Sequence, residues 1–254
     1  MSNSKKDIIP GDQKNLYVDI GNSVIKISYL EQGKWIKPEK FEHDEVFDLL
    51  SWISESRHKF GRLIISSVVK QVSQSLIGGM GNRKFEEIKI TDVPVRHLNY
   101  ETVDTLGIDR YLACLGASED QGESTIVIDA GTACTIDYMD ADDIYQGGVI
   151  MPGLFILEKG LKNYAPALPA VNRTIPDQWP GKSTEKCLQW GITGMFRDSI
   201  IAVLKRYEKA FGSFDLVLTG GDAEMLESLL PYTVRIDPYL VFKGMRQFMM
   251  KFFQ

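Results

Sequence analysis

Two segments of this chain read alike, and that likeness constrains the fold more than any other feature. Set YVDIGNSVIKI (Tyr17–Ile27) over VIDAGTACTID (Val127–Asp137). Val18 meets Ile128, Asp19 meets Asp129, Gly21 meets Gly131 and Asn22 meets Thr132, all at one offset. Each copy is an apolar strand, an aspartate, one spacer, a glycine, a small polar residue and a second strand. Glycine turns between short apolar runs are the mark of a β-hairpin. If the two hairpins are equivalent, the chain is built from two related halves. D-x-G is also a common turn signal, so the pair taken alone stays open to chance. The aspartates sharpen the question, because a carboxylate is an unusual residue among Tyr17, Val18 and Ile20 in a sheet interior.

The rest of the chain alternates strand and helix signals. LEQGKWIKPEKF reads as a turn and a further strand. DEVFDLLSWISESRHKF places Val46, Leu49, Leu50 and Ile53 on one helical face. RLIISSVVK is a β-branched run of the kind expected in a strand buried on both faces. VSQSLIGGMGNRKF predicts a helix that breaks at its glycines, EEIKIT a strand, and GIDRYLACLGASED a helix opening near Asp109. After the second hairpin, IYQGGVIMPGL continues the β series. STEKCLQWGITGMFRDSIIAVLKRYEKAF carries Leu188, Ile192, Met195, Phe196, Ile200 and Val203 at helical spacing. FDLVLTGGDAEMLESLL reads as strand, glycine turn and helix, and VFKGMRQFMMKFF as a closing amphipathic helix. The expected boundaries are a first domain over 1–116, with 1–15 flexible, and a second over 117–254.

Composition narrows the function classes. A formal net charge of −5 gives no basic surface for nucleic acid. No window approaches the ~18 consecutive apolar residues of a membrane span, and the polar N-terminus lacks the apolar core of a signal peptide. The expectation is a cytoplasmic protein with no nucleic-acid or membrane partner. Cys114, Cys134 and Cys187 are scattered and never form CxxC, which fits reduced thiols better than a disulfide framework or a zinc site. His43, His58 and His97 are isolated, each expected at the surface or in a loop.

Phosphate chemistry suits the paired hairpins. Gly21 and Gly131 let backbone amides converge on an anion, and a carboxylate just before such a turn can hold Mg²⁺ beside phosphate oxygens. No Walker A sequence occurs, and GGMGN (Gly78–Asn82) lacks the lysine and hydroxyl that end a phosphate loop, so it reads as a chain break. Asp109 opens a helix after Gly107; it is either a stabilising N-terminal carboxylate or a general base, which geometry must decide. Arg110 reads as a surface charge or an anion contact. Gly220-Gly221 and Gly147-Gly148 are each open between close approach to a ligand and plain turn chemistry. Ser183 and Thr184 are helix N-cap candidates.

In order, YVDIGNSVIK, ISSVV, LGIDRYLACLGA, VIDAGTACTID, YQGGVIMPGL, ALPAV…GKSTEKCLQWGI and LTGGDAEML resemble the type III pantothenate kinases, within the superfamily of acetate and sugar kinases, heat-shock chaperones and actin. The resemblance implies an α/β fold of two duplicated actin-like (ribonuclease H-like) domains, each a mixed five-stranded sheet flanked by helices, with the active-site cleft between them. It implies ATP-dependent phosphorylation of pantothenate, the first step towards coenzyme A, by a homodimer with substrate sites near the subunit interface. Asp109 then matches the general base. Asp19 would position Mg²⁺ or another divalent cation, directly or through water, and Gly21, Asn22, Ser23 and Lys26 lie along the first phosphate loop. Gly131 and Thr132 form the second loop, with Asp129 at the monovalent cation, K⁺ or NH₄⁺. Tyr100, Gly107, Ile108, Arg110 and Thr184 match the pantothenate site, and Gly220 and Gly221 the adenosine side.

The sequence departs from the family at three points. Ser23 stands where threonine is commoner, Lys70 where proline follows ISSVV, and ETVDT lacks a proline usual before Gly107; the last bears on the wall of the pantothenate pocket. Two other readings stand beside the kinase: a related kinase for another small hydroxylated substrate, and a regulatory protein that keeps the fold without the catalysis.

Overall fold

The computed structural model describes residues 15–56, 60–118 and 122–253. His58 and the segment expected to be flexible lie outside the described residues, except Asn15, which opens the first strand. The chain divides into two compact units. One holds the described residues up to Gly116 together with those from Tyr239 onward, and the other Ala117–Pro238.

In the first unit, β1 (Asn15–Ile20) turns into β2 (Ile25–Ser28); a two-stranded ribbon of β3 (Leu30–Glu31) and β4 (Lys34–Trp35) and then β5 (Glu39–Phe41) follow. Helix α1 (Val46–Glu55), β6 (Arg62–Ser67), α2 (Lys70–Gly79), β7 (Phe85–Ile88) and α3 (Ile108–Ala117) complete the run. The sheet order is β5-β2-β1-β6-β7. β1 is antiparallel to β2 and parallel to β6, because a tight turn makes the first connection and helix α1 the second. Leu16, Val18, Ile20, Ile25, Ile27, Leu63 and Ile65 form one buried cluster with Leu49 and Ile53 of α1 and Leu76 of α2. The expected break of α2 falls later than its first glycines: Gly78 and Gly79 are still helical, and Gly79 abuts Leu50 of α1 where a larger residue would clash.

The second unit repeats the plan. β8 (Thr125–Ala130), β9 (Ala133–Met139), β10 (Tyr145–Pro152), α4 (Leu154–Tyr164), α5 (Thr184–Gln189), α6 (Met195–Phe211), β11 (Asp215–Thr219), α7 (Ala223–Leu229) and β12 (Arg235–Ile236) follow in order. The sheet order is β10-β9-β8-β11-β12. Strand for strand this is the first sheet again, down to the antiparallel β8–β9 pair and the parallel β8–β11 pair. The internal repeat is therefore a duplication of fold, with Asp19 and Asp129 at equivalent positions near the ends of equivalent strands. Helices α5 and α6 are joined by a π-turn over Trp190–Gly194. Ile192, Phe196 and Ile200 face the core as their spacing predicts, whereas Met195 is exposed. Gly147-Gly148 sits at a bulge in β10 and packs on Asp137, so it has a structural role in the sheet.

The closing helix α8 (Leu240–Phe252) falls in the first unit, not in the second where chain order had put it. The reason is backbone packing. A side chain on Gly244 would run into the Leu112 backbone of α3, and one on Gly116 into Leu240, so glycines let α8 and α3 cross closely. Phe248 then meets Tyr111 edge-on, and Tyr239 stacks on Trp35.

Candidate active site

The first hairpin turn is closed by the Gly21 amide donating to the Val24 carbonyl at 3.1 Å. Asn22 and Ser23 project from it, exposed. Asp19 sits one residue before the end of β1 and is buried; its register partners are Lys26 on β2 and Ser66 on β6. A buried carboxylate, a lysine across the hairpin and an exposed turn at Asn22-Ser23 make a donor and acceptor set that suits phosphates and a hydrated divalent ion. Sequence reasoning missed His43. Its Nε2 lies 2.9 Å from the Gly21 carbonyl, bracing the turn from the loop before α1. Nothing in the local sequence of His43 signals this, because the contact joins segments distant in the chain.

Asp109 lies in the first turn of α3, half-buried, with its Oδ1 accepting from the Arg110 amide at 2.9 Å. Gly107 lies against it: a Cβ there would push that carboxylate oxygen aside. Val68 links this helix start to the hairpin. Its amide donates to the Ile20 carbonyl at 3.0 Å, and its side chain borders Gly107. The first hairpin turn and the candidate base thus belong to one packed neighbourhood of the first unit. Arg110 is buried, which removes the surface-charge reading. Ile108 is also buried. Tyr100 is half-buried among the short 3-10 turns that lead to α3.

In the second unit the Gly131 amide donates to Ala133 at 3.2 Å, the counterpart of the Gly21 turn. Asp129 is half-buried and Thr132 exposed. Beside them runs the turn after β11. Gly220 has a φ of +93°, and a Cβ there would lie 2.5 Å from both the Ala130 carbonyl and Asp129 Oδ1, so only glycine suits the position. The Asp222 amide donates to the Ala130 carbonyl at 2.9 Å. Around Gly221 the space is open within 4 Å. The second loop and the glycine turn are thereby brought together.

Thr184 opens α5, exposed. The cap itself is Ser183, whose hydroxyl accepts from the Lys186 amide at 3.2 Å, so Thr184 is not spent on capping. Sequence reasoning also passed over an ion cluster in this unit: Arg173 is bidentate to Glu158, both contacts at 2.7 Å, and reaches Asp222 at 2.7 Å. The hydrogen bonds to Glu158 lead in raising its guanidinium above the ordinary arginine value.

Among the described residues there is no group of three or more His, Cys, Asp or Glu arranged to hold a metal, and no helix long and apolar enough to cross a membrane. Cys134, buried behind the second loop, has its thiol pushed up to about 12, by burial first and then by the charges of Asp129, Asp137 and Asp222. Cys114 is buried and Cys187 exposed. Iodoacetamide on the native protein should therefore modify Cys187 and spare the other two. Intact mass reads the result, and native labelling of Cys134 would contradict this packing.

The family model for type III pantothenate kinase matches residues 15–206. A type III pantothenate kinase of Flavobacterium johnsoniae is 31% identical over 91% of this chain and 96% of its own length. Among solved structures, a Campylobacter jejuni protein assigned to the Baf family of transcriptional activators is similar at 24% identity and a TM-score of 0.65, covering 93% of this chain and 98% of its own. A Sinorhizobium meliloti protein described as a 2-dehydro-3-deoxygalactonokinase is similar at 13% identity and a TM-score of 0.57, over 92% of this chain and 98% of its own. At those identities the two structures speak for the fold alone.

Proposed function

The chain belongs to the type III pantothenate kinase family, and from that premise we propose how its residues divide the work. It phosphorylates pantothenate at the expense of ATP, at the entry to coenzyme A synthesis. The observation that carries the division of labour is the pair of D-x-G hairpins at equivalent places in two sheets of one order.

The primary hydroxyl of pantothenate attacks the γ-phosphorus. The new P–O bond forms as the bond from γ-phosphorus to the bridging oxygen breaks, ADP leaves with that electron pair, and Asp109 takes the hydroxyl proton. Phosphoryl transfer is mostly positioning and charge neutralisation. Asn22 and Ser23 offer amides and a hydroxyl to phosphate oxygens, with Lys26 adding positive charge, and Thr132 does the same from the second loop; Gly21 and Gly131, whose own amides close the turns, let the backbone come close to the phosphates. Gly220 and Gly221 give the flat, side-chain-free border suited to the adenosine. Tyr100, Gly107, Arg110, Thr184 and the backbone of Ile108 hold pantothenate.

Kinases of this kind use a divalent cation with ATP. One or two carboxylates suffice for Mg²⁺, which keeps its waters and takes phosphate oxygens as further ligands; the buried Asp19 carboxylate fits that demand. When bound, the ion neutralises phosphate charge. Asp129 beside the Ala130 carbonyl offers oxygen ligands of the kind K⁺ or NH₄⁺ accepts. An apolar groove of about 650 Å³ beside α4, with Phe155 and Leu168 partly exposed along it, supports a homodimer built on this face. A reaction that consumes ATP fits a cytoplasmic enzyme.

The test is product formation. Protein incubated with pantothenate, ATP, Mg²⁺ and K⁺ should yield phosphopantothenate by mass, and replacing K⁺ with Na⁺ should lower the rate. In Asp129→Asn the rate should lose that preference. Indifference of the wild type to the cation would remove the role given to Asp129, and absence of product would remove the kinase assignment itself.

A further inference from the structure

The second nucleotide loop, the glycine turn and α4 are joined in a ring of contacts. Gly153, just before α4, donates its amide to the Thr132 carbonyl at 3.0 Å, and a Cβ on it would strike the Gly131 and Thr132 carbonyls. One turn into α4 comes Glu158. Arg173 joins Glu158 to Asp222, at 2.7 Å on each contact, and Asp222 ends the Gly220-Gly221 turn. The Asp222 amide and Gly220 then return to Ala130 and Asp129. The guanidinium reaches two segments at once, and its planar fork is suited to two carboxylates. The loop that carries it is fastened in turn: Thr174 Oγ1 accepts from Gln189 Nε2 of α5 at 2.8 Å.

We propose that Arg173 is a positioning residue for the nucleotide: by tying Asp222 to Glu158 it holds the 219–222 turn at a fixed distance from the 131–132 loop, and so sets the width of the slot that takes ATP. This rests on the reading of Gly220-Gly221 as the adenosine side. Asp222 follows directly on the glycine turn, whereas the cluster reaches α5 through the Thr174–Gln189 bond, so the larger effect is expected on the nucleotide.

Steady-state kinetics separate the outcomes. Arg173→Met should raise KM for ATP about tenfold, equivalent to about 1.4 kcal/mol, while KM for pantothenate and kcat at saturating ATP stay within about twofold. Arg173→Lys, which keeps the charge but not the fork, should recover part of the loss. Should Arg173→Met fail to fold, Glu158→Gln reads the same tie from its other end, with a smaller rise confined to KM for ATP. An unchanged KM for ATP overturns the proposal. So does a parallel loss in both KM values and kcat with a lowered melting temperature, the mark of a merely structural contact. Gly221→Val tests the underlying reading separately, because its Cβ enters open space, and a thermal melt run beside the kinetics checks that the variant is folded. If Gly221→Val raises KM for ATP and Arg173→Met does not, the positioning role alone fails. If Gly221→Val leaves KM for ATP unchanged, the turn does not border the nucleotide, and both fall.

Discussion

Asp109→Asn should lower kcat by about 10²–10⁴-fold, the usual contribution of a positioned general base, with the melting temperature and KM for ATP close to wild type. Asparagine keeps the shape of the side chain and an oxygen for the Arg110 amide, which now sits 2.9 Å from Oδ1. What it cannot do is accept the proton of the pantothenate hydroxyl. The competing account makes Asp109 a helix N-terminal carboxylate and nothing more. Such a residue contributes about 0.3–1 kcal/mol through the helix dipole, so its loss would move stability slightly and turnover not at all. The two accounts therefore differ in which quantity moves. Phosphopantothenate formation under saturating substrates, run beside a thermal melt, distinguishes them; a variant with wild-type kcat would strip Asp109 of its role. Gly107 bears on the same point: a side chain two residues before Asp109 would push its carboxylate out of the position it holds here.

Local chemistry was legible in the sequence wherever the signal was local. The two hairpins, their glycine turns, the α3 start and the strand RLIISS all follow from apolar period and turn residues within a few positions, and the structure forms them there. The equivalence of the halves needed more. Only the shared strand order turns a likeness of eleven-residue segments into a duplication of fold. What the sequence hid is what depends on contacts between distant segments. α8 follows the second unit in the chain yet joins the first, because Gly244 and Leu112 pack closely, a fact no periodicity encodes. His43 braces Gly21 across 22 positions, and Arg173 reaches Glu158 across 15 and Asp222 across 49. Met195 fits the helical spacing of its neighbours but is exposed, because the π-turn at Trp190–Gly194 inserts an irregular step immediately before it.

Asp19→Asn should separate activity from stability more sharply still. Catalysis should fall by at least about 100-fold, because the variant loses the formal charge that holds the divalent ion against the phosphates. The ligand-free melting temperature should not fall. A carboxylate 5% exposed in a sheet bears a desolvation cost that a neutral amide of the same shape largely avoids. The opposite pattern belongs to a carboxylate kept for the sheet, as a partner to Lys26 across the hairpin: stability would drop and the activity of the folded fraction would survive. A buried charge that weakens the fold and is indispensable to turnover is the signature of a functional site, where local consistency gives way to chemistry. Raising Mg²⁺ adds a second reading of the same variant. Partial recovery of the rate at high Mg²⁺ is expected if Asp19 acts through the ion, and a rate insensitive to Mg²⁺ would place the loss elsewhere in the loop. The same experiment at Asp129 should show no dependence on the divalent ion if, as proposed, the two aspartates, equivalent in fold, serve different cations.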